Sequence, residues 1–272
     1  MITRRFACCT VLIAALATGC ASASTTPVIS GHSPGSTAVS PPASNAASPT
    51  SPVDEASPTA TSIASAPRTP ASSATDGAVR MPEDDDLAAG RYFWDDRYYI
   101  NASRLTFTVP AGWNSEEDLY KDRGEPGEVK FTTWVLTHVF SDVCQWRGPG
   151  TLVDVGTTVD ELITALMEQE GRDASAPTSV TVGGFPAKRI QLTVPAELDT
   201  ASCTNGVLRY WPAPGPNMSD GDCCALAGST DTVYVVDIAG NRLVVVARHI
   251  PGSSAANRAE LQSIVDSIEI VL

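Results

Sequence analysis

Sixty consecutive residues of this 272-residue chain cannot build a hydrophobic core. From residue 21 to about residue 80 the sequence is almost entirely Ser, Thr, Ala, Pro, Gly and Val, as in Ser40-Pro41-Pro42-Ala43-Ser44 and Ala47-Ser48-Pro49-Thr50-Ser51-Pro52. It holds no aromatic residue and little Leu or Ile. Such a stretch buries too little apolar surface to offset the entropy lost on ordering. Residues 20–80 are therefore expected to be a disordered tether. Its reach is roughly 45 Å as a flexible coil and about 190 Å drawn into polyproline II. Aromatic residues begin abruptly at Tyr92, Phe93 and Trp94. Whatever folds must be built from residues 90–272, a length that suits one core.

The first twenty residues read MITRRFACCTVLIAALATGC. Arg4 and Arg5 precede an apolar run from Phe6 to Ala17. A spanning helix needs about 20 apolar residues, so the run has the length of a signal peptide instead. Its end, Leu16-Ala17-Thr18-Gly19-Cys20, resembles the bacterial lipobox, with Ala17 where Leu is commoner. The resemblance implies cleavage after residue 19 and a lipid on Cys20. Two or more acyl chains anchor stably, because each buried methylene contributes about 0.8 kcal/mol. The expected location is the extracytoplasmic face of the cell membrane.

In residues 90–272, Arg104–Val109 reads as a strand closed by Pro110-Ala111-Gly112, and Val129–Phe140 contains another. Thr158-Val159-Asp160-Glu161 fits a capping box. Val159, Leu162, Ile163 and Leu166 follow at helical spacing, and Gly171 can end that helix. Ser179–Val182 and Ala187–Val194 flank Gly183-Gly184, a hairpin pattern. Val207–Trp211 reads as a short strand. Thr232–Ile238 and Arg242–His249 form a second hairpin around Ala239-Gly240-Asn241. Leu261, Ile264, Val265 and Ile268 stripe a last helix over 254–268. Hairpins with separately placed helices define an α+β domain with a mainly antiparallel sheet.

Two stretches resemble PsbP-like domains, which are α/β sandwiches. Phe107-Thr108-Val109-Pro110-Ala111-Gly112-Trp113 is similar to their opening, and Ala259–Ile268 to their final helix and short strand. Other stretches resemble a group of actinobacterial lipoproteins and membrane-anchored ectodomains. These are Val143-Cys144-Gln145-Trp146, Val182–Lys188, Val194–Cys203, Tyr210-Trp211-Pro212 and Thr230–Asp237. The resemblance implies the fold and no activity. The Cys223-Cys224 insert is unusual for that pattern.

Cys8 and Cys9 leave with the signal peptide, which puts Cys144, Cys203, Cys223 and Cys224 in an exported domain. Four such cysteines favour disulfides, with three pairings open. The resemblance implies Cys144 with Cys203, leaving Cys223 and Cys224 to close an eight-membered ring. Crosswise pairing of Cys144 and Cys203 with Cys223 and Cys224 is the rival. A loop of about 60 residues closed in this way contributes roughly 3–4 kcal/mol on a chain-entropy basis. A zinc site is disfavoured, since Cys223-Cys224 lacks the spacing of metal-binding pairs. No metal and no cofactor is expected.

Residues 81–272 carry 28 Asp and Glu against 14 Lys and Arg. That balance opposes nucleic-acid binding, which rests on phosphate neutralisation. Glu83–Asp86, Asp95-Asp96 and Glu116–Asp118 lack the calcium-loop pattern and read as solvated acidic surface. His32 lies in the tether, and His138 and His249 read as structural. No G-x-S-x-G elbow or phosphate loop is present, so no catalytic residue is assigned. Trp94, Tyr98, Tyr99, Tyr210 and Trp211 are the binding candidates, because aromatic clusters anchor partners. The sequence reads as a non-enzymatic, lipid-anchored binding or accessory domain. Its partner would be an envelope protein or cell-wall ligand. A hydrolase with a spatially assembled site and a structural or sensory ectodomain are the alternatives.

Replacing Cys20 with Ala is expected to move the protein from the membrane fraction to the soluble fraction on cell fractionation. Retention in the membrane would contradict a lipid anchor.

Overall fold

The computed structural model describes residues 77–94, 104–213 and 221–272. The signal peptide, Cys20, the tether, Tyr98 and Tyr99 lie outside the described residues. Strand pairing begins at β1 (Val79–Arg80) and β2 (Asp85–Leu87), ahead of the aromatic boundary at Tyr92. These short, polar strands carry no alternating apolar pattern, so periodicity did not reveal them.

Two nine-residue strands, β13 (Thr230–Ile238) and β14 (Asn241–His249), pair over their full length from Thr230↔His249 to Ile238↔Asn241. Their two-residue turn has positive φ at both Ala239 and Gly240, as a hairpin turn matching strand twist requires. Asp237 Oδ1 accepts the Gly240 amide at 2.9 Å and steadies it. Outward, β13 pairs with β12 (Phe185–Thr193), whose far edge carries β10 (Asp173–Ala174) and β11 (Thr178–Val182). On the other side β14 pairs with β7 (Val129–Trp134). The sheet continues through β6 (Asp118–Lys121) and β5 (Trp113–Glu116) to β2. Every pairing in this nine-stranded sheet is antiparallel.

Val-rich runs in β13 and β14 reflect burial on both faces. Tyr234, Val236, Ile238, Leu243, Val245 and Ala247 point into one core. α2 (Ala255–Asp266) and a second sheet cover it. That sheet has the order β1, β3 (Gly90–Trp94), β4 (Arg104–Val109) and β15 (Glu269–Val271). Trp94 stacks on Phe131 with ring centroids 5.6 Å apart, and Phe107 lies 5.2 Å from the same ring. Val233, Val235, Val244 and Val246 point the other way. That second core is closed by α1 (Val159–Met167) and holds Val139 of β8 (His138–Phe140), which pairs with β9 (Leu152–Asp154). Each fully buried Val, Leu or Phe contributes about 1.5–3 kcal/mol relative to exposure.

The capping box at α1 forms. Thr158 Oγ1 accepts the Glu161 amide, and the Glu161 carboxylate accepts the Thr158 amide at 2.8 Å. Those hydrogen bonds hold the Glu161 carboxyl below its ordinary range. Gly156 has φ +61°, and a Cβ there would stand 2.5 Å from that carboxylate. Arg242 of β14 donates to the carbonyls of Leu136, Val155, Gly156 and Thr158, tying the start of α1 to the sheet. The last helix is shorter than its apolar stripe: Ser254 caps it, and it ends at Asp266 so that Glu269–Val271 can pair with β4.

The expected strand over 207–211 is not a strand. It makes a single bridge, Arg209↔Cys223. Tyr210 N donates to Asp222 O in that bridge, while Phe140 N donates to Tyr210 O and Arg209 N to Val143 O on a second segment. Val129–Phe140 likewise divides into β7 and β8.

Thr158→Ala is expected to lower stability by about 1 kcal/mol through the lost cap. Leu162→Ala, on the buried face of α1, should cost about 2–5 kcal/mol. Urea denaturation followed by circular dichroism measures both.

Candidate functional site

Cys144 is bonded to Cys203, 59 residues on, with Cα atoms 4.5 Å apart, and Cys223 is bonded to Cys224. The first bond lies within the second core, which also holds Leu208 and Tyr210. Three of the aromatic binding candidates are core residues. Trp94 packs in the first core, while Tyr210 and Trp211, at 1% and 0% exposure, fill the second. The faces of Tyr210 and Trp211 are occupied by protein and offer no exposed platform, whereas Trp94 also borders the cleft described below. The structure thus places Tyr210 and Trp211 in the interior, because sequence proximity to a loop does not report burial. His138 Nδ1 lies 3.0 Å from Thr137 Oγ1. His249 sits half-buried at the end of β14, where burial and the Arg258 charge push its pKa down.

A buried charge cluster missed by sequence reasoning crosses the large sheet. Register places Asp231 opposite Arg248, Arg248 opposite Lys130, and Lys130 opposite Tyr120. The charged members point to the face that carries Val233, Val235, Val244 and Val246. Arg248 Nε donates to Asp231 Oδ1 at 2.6 Å, and its other nitrogens reach Asp222. Lys130 Nζ lies 3.0 Å from Asp222 Oδ1 and 2.9 Å from Asp118 Oδ2. Arg172, just beyond α1, donates from Nη1 to Asp231 at 3.2 Å and from Nη2 to Gln169. Gln169 Nε2 donates in turn to the carbonyls of Phe140 and Tyr210. The Tyr210 ring lies 3.9 Å from the Arg172 guanidinium carbon and 4.9 Å from that of Arg248.

Three carboxylates thus meet three cations, all of them buried. Burial alone would raise the Asp222 pKa; Arg248 and Lys130 outweigh it and hold the carboxyl down to about 2. Burial likewise opposes the charge on Arg248, and Asp222 and Asp231 overcome it, raising its pKa. On Arg172 burial prevails and lowers the pKa. Charge balance of this kind can be neutral in net stability, but removing one member leaves an uncompensated buried charge.

Beside the cluster, at the tip of the β5–β6 hairpin, lies a cleft of about 1190 Å³. Glu83, Asp84, Glu116, Glu117 and Asp118 supply carboxylates to its lining, against Arg80 and Arg123. Phe93, Trp94 and Tyr120 supply aromatic edges and faces. Arg123 pairs with Glu116 and lies over the Tyr120 ring, 4.6 Å from its centroid. Burial raises the Tyr120 phenol pKa, and Lys130 opposes that. Glu83 and Glu116–Asp118, read from the sequence as acidic surface, therefore line this cleft. Asp85 and Asp86 stand exposed on β2. Asp95 and Asp96 lie outside the described residues. Among the described residues no group of His, Cys, Asp and Glu is arranged to hold a metal ion.

No protein-family model and no curated protein sequence matches the chain. Among solved structures it is similar to the crystal structure of LpqN, involved in cell envelope biogenesis of Mycobacterium tuberculosis. Identity is 14% and the TM-score 0.36, over 67% of this chain and 91% of that one. It is also similar to the solution structure of cyanobacterial PsbP (CyanoP) from Synechocystis sp. PCC 6803. There identity is 10% and the TM-score 0.32, over 68% and 94% of the two chains. A crystal structure from Bacteroides thetaiotaomicron VPI-5482 matches at 10% identity and TM-score 0.32, over 68% of this chain and 50% of that one. Identity and overlap at this level transfer neither a substrate nor a partner.

Arg248→Met should cost about 3–5 kcal/mol, since Asp222 and Asp231 lose their shared cation. The pH dependence has a definite sign. The folded Asp222 carboxyl sits at about 2 against an ordinary 3.8. Its stabilisation is complete above about pH 4 and is lost as the pH falls through the folded value. The urea midpoint should therefore drop between pH 4 and pH 2, and Asp222→Asn should remove that part of the drop.

Proposed function

We propose that this protein is a lipid-anchored, extracytoplasmic binding domain of the cell envelope. Cys20 holds it to the membrane, the Ser/Thr/Pro/Ala-rich stretch that precedes β1 extends it outward as a disordered tether, and the cleft at the β5–β6 tip receives its ligand. The lipobox-like ending at Cys20 supports the anchor. Two disulfides suit a compartment more oxidising than the cytoplasm. Among the described residues no helix is long and apolar enough to cross a membrane. The resemblance to actinobacterial lipoproteins, carried by Val143–Trp146, Val182–Lys188 and Thr230–Asp237, agrees with this placement.

The single observation that carries the binding reading is the cleft, a volume large enough for a multi-atom ligand with polar and aromatic groups converging on it. Its carboxylates accept hydrogen bonds from hydroxyl and ammonium groups and repel phosphate and other anions. Phe93 and Tyr120, both half-buried, offer apolar surface beside them. The ligand class that fits is a hydroxyl-rich or cationic polymer of the cell wall.

The test uses the full chain carrying Cys20→Ala, so that membrane attachment does not interfere. The chain should co-sediment with purified cell walls. Adding Glu83→Lys and Glu117→Lys, two exposed rim positions, should abolish co-sedimentation without lowering the thermal midpoint. Equal sedimentation of both proteins would remove the cleft from the account.

A further inference from the structure

The two disulfides differ in access. Cys144 and Cys203 are 9% and 5% exposed and lie within the second core. Cys224 is exposed and Cys223 half-buried, between the buried Asp222 and Ala225. A thiolate attacks a disulfide along a path to one sulfur, so access selects the bond that exchanges.

Position gives the exposed bond a consequence. The residue immediately before it is Asp222, whose carboxylate joins Arg248 and Lys130 in the buried cluster. The Asp222 carbonyl accepts the Tyr210 amide at 3.2 Å, and the Cys224 amide donates to Leu208 O at 3.1 Å. Residues 222–224 thus latch the segment 208–211 while delivering a charge to the interior. Cys224 holds φ +70°, a left-handed conformation that a non-glycine residue keeps only when its surroundings impose it. The ring formed by two bonded neighbours imposes such a constraint, and opening it frees the backbone at the latch.

We propose that Cys223–Cys224 is a thiol–disulfide exchange site, and that its reduction by a dithiol loosens the Asp222 latch over the ion cluster. One thiolate of the dithiol attacks Cys224 Sγ. The Cys223–Cys224 bond breaks, and its electron pair stays on Cys223 Sγ, which takes a proton. The second thiol of the reductant then attacks the reductant's own sulfur in the mixed disulfide and expels Cys224 as a thiolate, which is protonated. The dithiol leaves as a disulfide, and two electrons and two protons have passed to Cys223 and Cys224. Cys144–Cys203 stays closed throughout and holds the fold.

The experiment uses the full chain with Cys20→Ala, treated with low-millimolar dithiothreitol without denaturant. Iodoacetamide labelling, read by peptide mass, should find alkyl groups on Cys223 and Cys224 and none on Cys144 or Cys203. Absence of labelling, or equal labelling of both pairs, would overturn the exchange site. Hydrogen exchange read on the same sample should show the Tyr210 and Cys224 amides exchanging at least about tenfold faster after reduction, with β13 and β14 unchanged. The double variant Cys223→Ser/Cys224→Ser should match the reduced protein and ignore dithiothreitol. Selective labelling with unchanged exchange at Tyr210 and Cys224 would overturn the latch. Cell-wall sedimentation plays no part in this readout, so its outcome is independent of the ligand assigned to the cleft.

Discussion

A salt-bridged cluster inside a sheet is a demanding thing to build, and much of this structure is arranged around one. Arg248 alone spans two carboxylates, Asp231 on the neighbouring strand and Asp222 on a distant segment. Each ion taken out of water costs several kcal/mol, so the attraction must be matched by geometry and by further hydrogen bonds. Those demands fix positions well beyond the pair. Arg172 must come off the end of α1 at the right height, and Gln169 must bridge it to the Phe140 and Tyr210 carbonyls. Lys130 must take up Asp118 at the hairpin tip that borders the cleft. The segments outside the sheet are held by polar contacts of definite direction, where apolar packing alone would permit sliding.

The elements around this cluster were largely legible. Thr158 and Glu161 carry the capping box in their spacing, and Gly183-Gly184 and Ala239-Gly240 carry positive φ at the two hairpins. Leu261, Ile264 and Val265 mark the buried face of α2. What was hidden depended on burial or on long-range pairing. Val79–Arg80 and Asp85–Leu87 pair as edge strands with no apolar alternation to announce them. Residues 207–211 read as a strand because β propensity does not distinguish a ladder from an extended segment held by residues 140–143 and 222–224.

The candidate site was less legible for a physical reason. Aromatic clusters suggest exposed anchors, yet Tyr210 and Trp211 are buried in the core, and the carboxylates of Glu83, Asp84 and Glu116–Asp118 outnumber the aromatic side chains that line the cleft. A signal for the ion cluster did exist. Arg248 has the same strand parity as Val244 and Val246, and Asp231 the same as Val233 and Val235, so charges fall at inward positions of apolar strands. Two opposite charges at inward positions of one hairpin are a reason to expect a buried pair. Asp222 carried no such signal, since only the fold brings it there.

The central claim is that Asp222 and Arg248 act as one buried unit that locks residues 222–224, and residues 208–211 which they hold, onto the sheet. A double-mutant cycle of Asp222→Asn and Arg248→Met, measured by urea denaturation near neutral pH, tests it most directly. The account predicts strong non-additivity, with the double variant recovering at least about 1.5 kcal/mol relative to the sum of the single losses. Losses that simply add would show that the two side chains do not depend on each other, and would contradict the account.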